Sequence, residues 1–170
     1  MYAPRMTAPR LYLICGLPGA GKTARSHAIA ATTDAIRMCT DEWLDAVGIS
    51  LVDYPARFRL EPYLLKHAEQ LLRAGVSVIV EFTSWSRTER EAIRSVAARS
   101  DAACELHFVD GPLDELERRV RTRGGPHAKV LAEEVLLKLG HQFERPTEEE
   151  AALYHRYVGP SDTYGVADCT

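Results

Sequence analysis

Residues Gly16, Leu17, Pro18, Gly19, Ala20, Gly21, Lys22 and Thr23 spell G-x-x-x-x-G-K-[ST], a spacing suited to holding a chain of phosphates. The glycines let the backbone curl so that successive N–H groups point into one concavity, with no Cβ obstructing an incoming phosphate. A helix starting at Lys22 adds unpaired N–H donors and a partial positive charge. Lys22 is placed to reach β- and γ-phosphates, and Thr23 to offer its hydroxyl to Mg²⁺. The alternative is a chance glycine turn. The flanks argue against it, because a β-prone run, Leu11-Tyr12-Leu13-Ile14-Cys15, enters the loop and an Ala-rich helical stretch leaves it. The motif therefore implies a nucleoside triphosphate.

Further residues carry chemistry that such a ligand needs. Asp41 is a carboxylate that can take the proton of a hydroxyl as it attacks a γ-phosphoryl group; Thr40 or Asp41 can equally serve as the cap of the turn Glu42–Asp45. Glu81 ends an apolar run, where an unpaired buried carboxylate is costly, so it faces either a metal or solvent at the strand end. Arg118, Arg119, Arg121 and Arg123 precede Gly124-Gly125. Arg119 and Arg123 are spaced to share one helix face and can swing over a transferring phosphoryl group, while a solvated basic face paired with Asp114, Glu115 and Glu117 is the plainer meaning of the run. The six histidines show no metal-ligand spacing.

These residues must be positioned by alternating strands and helices. Strands are predicted at 11–15, 36–40, 76–81 and 104–109. Helices are predicted at 22–31, about 62–74, about 87–99, 112–122, about 129–140 and 147–157, the last opened by a Thr147–Glu150 capping box. Such alternation implies an α/β fold, a parallel sheet with helices on both faces. Ligands in these sheets bind at the carboxyl ends of the strands. The phosphate loop, Asp41 and Glu81 all fall there.

The bulk properties agree. The chain has 170 residues and a net charge of −3, so no global field draws it to nucleic acid, and no aromatic-basic stripe for single strands is visible. No apolar run approaches the ~20 residues needed to span a bilayer. Residues 1–10 read as a disordered leader to a single domain over 11–170. Cys15, Cys39, Cys104 and Cys169 are widely spaced, which argues against a zinc site or disulfide framework and for a reducing cytoplasm.

In order along the chain, G-L-P-G-A-G-K-T, C-T-D-E-W-L, V-I-V-E-F-T-S-W-S-R-T-E-R, H-F-V-D-G-P-L-D-E-L-E-R-R-V-R-T-R and F-E-R-P-T-E-E-E resemble the small P-loop kinases grouped with zeta toxins, chloramphenicol phosphotransferase and the 5′-kinase domain of polynucleotide kinase. The resemblance implies a P-loop NTPase sheet of four to five strands in the order 2-3-1-4-5, with a short lid near 121–140. It implies Asp41 as the base, Arg119 and Arg123 as lid arginines, and the Phe143–Thr147 turn near an adenine. The group often carries Asp where this chain has Glu81, and relatives close the sheet with a fifth strand, for which Val166–Cys169 is the candidate. The expected activity is transfer of the γ-phosphoryl group from ATP, with Mg²⁺, to a hydroxyl of a small or nucleotide-like molecule. Alternatives are a polynucleotide or nucleoside end kinase and a non-transferring ATP-binding switch. The acceptor pocket is expected within 43–65 and 82–90, an apolar floor of Trp43, Tyr54, Phe58, Tyr63, Phe82 and Trp85 edged by anion-binding Arg57, Arg59, Arg87 and Arg90.

Overall fold

The computed structural model describes residues 8–125 and 127–162. Five parallel strands, β1 (Arg10–Cys15), β2 (Ile36–Cys39), β3 (Val78–Glu81), β4 (Ala103–Phe108) and β5 (Arg156–Val158), form one sheet in the order β2-β3-β1-β4-β5. Strand β1 is central, pairing Leu11 with Val78 on one side and Cys104 on the other. Its side chains alternate. Leu11, Leu13 and Cys15 join Val78, Val80 and Leu106 in the larger core, while Tyr12 and Ile14 join Ile79 and Ile29 in a smaller core on the opposite face. Both faces are thus covered, which is why the strands read as nearly continuous apolar runs.

The helices follow from local chemistry. Helix α1 (Lys22–Thr32) leaves the phosphate loop directly and packs its Ile29 into the smaller core. Helix α2 (Thr40–Ala46) follows β2 without a loop. Helix α3 (Tyr54–Arg73) begins well before the predicted 62, because Asp53 caps it by accepting from the Ala56 N–H at 2.9 Å. Pro62 sits inside it. Helix α4 (Arg87–Arg99) matches its prediction and is opened by a reciprocal Ser86–Glu89 capping box. Residues of α3 (Leu64, Ala68, Leu72) and α4 (Ile93, Val96, Ala97) fill the larger core. Helix α5 (Leu113–Arg123) follows β4. Helix α6 (Ala128–Val130) runs on as a π-helical stretch, Leu131–Leu139, and ends in a 3₁₀ turn, Gly140–Gln142.

The end of the chain departs from expectation. Instead of one helix over 147–157, α7 (Glu148–Ala151) is short, and β5 follows it, pairing Leu106 with Tyr157. Thr147 accepts from the Glu150 N–H at 3.2 Å, but the Glu150 carboxylate does not fold back to complete the capping box. It is taken by Arg90, which is fully buried and donates through Nε at 2.6 Å and Nη2 at 2.8 Å, while its Nη1 donates to the Ser84 and Trp85 carbonyls. The helix ends at Ala151 and the chain enters the sheet, where the His155 N–H donates to the Cys104 carbonyl at 2.9 Å. The Val166–Cys169 candidate strand lies outside the described residues. So do residues 1–7 of the expected leader, whereas Arg10 already belongs to β1.

Cys15, Cys39 and Cys104 are buried and free, and burial pushes the Cys39 thiol up to about 11 and the Cys15 and Cys104 thiols to about 12. They act as small apolar core residues. Among the described residues, no helix is long and apolar enough to cross a membrane.

Candidate functional site

A cavity of about 840 Å³ opens at the carboxyl ends of β1, β2 and β3. The phosphate loop forms its floor beneath β1. Gly19 and Gly21 adopt positive φ of 81° and 101°, conformations that disfavour L side chains. A Cβ on Gly19 would stand 2.5 Å from the Leu116 carbonyl oxygen, and one on Gly16 would stand 2.2 Å from that of Val109. A Cβ on Gly21 would meet nothing within 4 Å, because that residue faces the open cradle. The loop is therefore clamped against the β4–α5 region on one side and left clear on the other, a shape that fits a phosphate chain.

Lys22 arches over this loop, its Nζ donating to the carbonyls of Gly16 at 2.9 Å and Leu17 at 3.1 Å. Burial pushes its ammonium below the ordinary lysine range, opposed by the charges of Asp41 and Glu81. Thr23, in the first turn of α1, is exposed and lines the cavity.

Asp41 lies in the first turn of α2 and is paired with Arg57 of α3. Arg57 also donates to the Leu51 carbonyl at 3.0 Å and lies 3.5 Å from Glu61 Oε1. Glu61 Oε1 in turn accepts from Thr40 Oγ1 at 3.0 Å and from the backbone N–H and hydroxyl of Thr83, each at 2.9 Å. Burial alone would lower the Arg57 pKa, but the Asp41 and Glu61 carboxylates outweigh it and hold the group above its ordinary value. A polar lattice thus fixes Asp41 by tying α2, α3 and the loop after β3 together. Arg57 and Glu61 were not singled out as its supports, because their link to Asp41 is spatial and not sequential.

Glu81 is buried at the tip of β3, opposite Cys39 in register. Its Oε1 accepts from Arg37 Nε at 2.6 Å, and that Nε also donates to Ser26 Oγ at 2.8 Å. Arg37 extends an Nη1 to Glu42 at 2.5 Å, and its buried Nη2 has no hydrogen-bond partner among the described residues. The Glu81 carboxylate is therefore shared between an arginine and the cavity. Thr23 and Glu81 together present oxygen donors, the type Mg²⁺ prefers. No group of three or more His, Cys, Asp or Glu among the described residues forms a metal site by itself, so most ligands of an ion here would come from phosphate and water.

Of the arginines in α5, Arg119 and Arg123 line the cavity, and Arg118 and Arg121 do not. Arg119 donates to Glu115 at 2.8 Å and reaches the Gly19 carbonyl at 3.5 Å. Arg118 and Arg121 pair with Glu115 and Glu117 on the solvent face. At the head of the Phe143–Thr147 turn, Phe143 packs into the larger core. Phe143 stacks on Phe108 at 5.9 Å and meets Trp85 edge-on at 6.3 Å, and the Glu144 N–H donates to the Trp85 carbonyl. Gln142, just before that turn, does line the cavity.

The acceptor-side wall keeps Tyr54, Phe58, Phe82 and Trp85 among its lining residues, with Arg57. Trp43, Tyr63, Arg59 and Arg87 are not among them, and Arg90 is buried against Glu150. Of the four arginines expected at that edge, Arg57 lines the cavity and is paired with Asp41.

The sequence matches a family model described as an AAA domain across residues 11–146. Among solved structures, the fold is similar to a sugar kinase from Janibacter sp. HTCC2649, with a TM-score of 0.61 and 20% identity over 90% of this chain and 84% of that one. It is similar to the APS kinase of Mycobacterium tuberculosis, solved with AMPPNP and APS, with a TM-score of 0.64 and 18% identity over 92% of this chain and 91% of that one. A gluconokinase from Sinorhizobium meliloti 1021 gives 0.58 and 22% over 89% and 82%. No curated protein matches the chain by sequence.

Proposed function

We propose, from the premise that the chain belongs to the AAA domain family, that this P-loop kinase-like fold is an ATP-dependent phosphotransferase acting on a hydroxyl of a small molecule. The observation that carries the reading is that one cavity holds both the phosphate loop and Asp41, an acid fixed by Arg57. A nucleotide-binding switch has no need of a positioned base across from its phosphate loop.

The roles follow from placement. The Gly16–Thr23 loop and the N-terminus of α1 cradle the phosphates of the donor. Lys22 exchanges its two backbone carbonyl partners for phosphate oxygens and keeps its charge beside them. Arg119 and Arg123, ahead of Gly124-Gly125, approach from the opposite wall and neutralise charge on the transferring group. The segment near 121–140 acts as a lid. Asp41 accepts the acceptor's hydroxyl proton as the acceptor oxygen bonds to the γ-phosphorus and the bond to the β–γ bridging oxygen breaks, with ADP as leaving group. Thr23 and Glu81 would hold Mg²⁺ directly or through water, and the ion when bound would supply further charge neutralisation. The named kinases of similar fold support a small acceptor.

The test is ADP formation with and without hydroxylated acceptors, in the parent and in Asp41→Asn. Acceptor-dependent ADP formation that falls about 10²-fold or more in the variant supports transfer. Acceptor-independent turnover that the variant leaves unchanged overturns it.

A further inference from the structure

The site is set by the phosphate loop and the cavity; the charges of its walls decide what it admits. On the side built from β2, α2, β3 and the start of α4, the cavity presents five carboxylates, Asp41, Glu42, Asp45, Glu81 and Glu89. Two guanidinium groups share that side, Arg37 and Arg57. Arg37 pairs through Nε and Nη1 with Glu81 and Glu42, leaving Nη2 without a partner among the described residues, and Arg57 pairs with Asp41. With Glu81 set aside for the Mg²⁺ position, Asp41, Glu42, Asp45 and Glu89 outnumber Arg37 and Arg57, and the acceptor side carries an excess of two formal negative charges. The other cations that line the cavity, Lys22, Arg119 and Arg123, stand on the donor side along the phosphate loop and α5, Arg119 being paired there with Glu115.

A second feature of the same wall points the same way. Tyr54, Phe58 and Trp85 line it, with Tyr54 and Phe58 6.3 Å apart between ring centroids. Aromatic faces beside carboxylates form a surface that attracts an ammonium through both the ring quadrupole and charge. A phosphorylated, sulfated or carboxylated acceptor would meet a wall of like charge, which is unfavourable.

We infer that the acceptor of this cavity is a cationic alcohol, an amine- or quaternary-ammonium-bearing molecule whose hydroxyl is presented to Asp41. The inference rests on the transfer reading above for its orientation, and its ligand class is tested by binding alone. The ammonium lies against Asp45 and the aromatic rings, and the hydroxyl points toward the phosphate loop.

The experiment titrates two charge-matched series into the protein saturated with AMPPNP: glucosamine, glucose and gluconate, and choline beside its neutral isostere 3,3-dimethyl-1-butanol. In at least one series the cationic member binds at least tenfold more tightly than its neutral counterpart, and gluconate binds no better than glucose. Asp45→Asn lowers that preference about threefold and leaves AMPPNP affinity unchanged. Equal or tighter binding of the neutral or anionic members, or binding by none of the five, overturns the inference. ADP formation separates the two readings. An ammonium alcohol that binds without stimulating ADP formation in any acceptor panel sinks transfer and leaves the ligand class standing. Phosphorylation of gluconate in preference to glucosamine does the reverse.

Discussion

Arg57 and Asp41 form an ion pair of unequal exposure: the arginine side chain is 12% exposed and the aspartate 56%. The buried partner is anchored through Leu51 and Glu61, so the exposed acid is held from behind while its free face meets the cavity. Arg57 thus serves as a positioning residue for Asp41 and not as a ligand for an anionic acceptor. Arg57→Met should lower acceptor-dependent kcat at least tenfold and leave the affinity for AMPPNP within about twofold, since the phosphate loop does not touch it. A loss of nucleotide affinity as large as the loss in kcat would show that Arg57 acts on the donor instead.

The glycines of the loop should separate by what stands beside them. Gly16→Ala pushes a Cβ to 2.2 Å from a backbone oxygen, so it should lower the urea midpoint markedly whether or not nucleotide is present. Gly21→Ala meets no atom and carries only the strain of its positive φ, about 1–2 kcal/mol. Its larger effect should be on AMPPNP binding, because the methyl group enters the cradle. Titration and urea denaturation of both variants check this. Equal destabilisation with equal binding would contradict the placement of the cradle.

Arg90 and Glu150 form a doubly hydrogen-bonded pair that is nearly free of solvent. Removing one partner strands a buried charge and should cost about 3–5 kcal/mol, in Arg90→Met and in Glu150→Gln alike. The double variant Arg90→Met with Glu150→Met should recover much of that loss, which urea denaturation of all three would measure. Single variants that unfold like the parent would show that the latch between α4 and α7 contributes little.

His107 supplies a pH dependence whose sign is set by burial. It lies on β4 with its Nε2 3.1 Å from Glu105 Oε2, 5.9 Å from the Tyr12 ring, and under the influence of Arg25 and Arg156. Burial holds its pKa below the ordinary 6.5, although the Glu105 carboxylate pulls the other way. The unfolded chain therefore takes up a proton before the native state does, and stability is lost as pH falls below 6.5, by at most about 1.4 kcal/mol per unit. The urea midpoint should fall between pH 7 and 5.5, and His107→Phe should flatten that slope. A midpoint that rises over this range would contradict the assignment.

Much of this fold was legible in the chain because a parallel sheet covered on both faces leaves continuous apolar strands, as in Leu11–Cys15 and Val78–Val80. The strand order came with the family resemblance, and the phosphate loop with its own spacing. Helix α3 was expected only from about 62, whereas it begins at Tyr54 and carries Pro62 in its interior. The Thr147-x-x-Glu150 pattern suggested a long helix, but Glu150 is bonded to Arg90, a residue 60 positions away, and no local rule reveals that competition. The same limit applies to the acceptor wall. Arg57, Arg59, Arg87 and Arg90 are equivalent as letters; only packing shows that one braces Asp41, one is buried and two lie outside the cavity.

Transfer of a phosphoryl group to an acceptor hydroxyl in this cavity would run through Asp41. Its most direct test is a coupled measurement of ADP and phosphorylated product from ATP and Mg²⁺ with ammonium-bearing alcohols, in the parent and in Asp41→Asn. The parent should form one product per ADP, Asp41→Asn should lose about 10²-fold or more of that rate, and AMPPNP affinity should be unchanged. ADP formed at the same rate without any acceptor, and equally in Asp41→Asn, would contradict it.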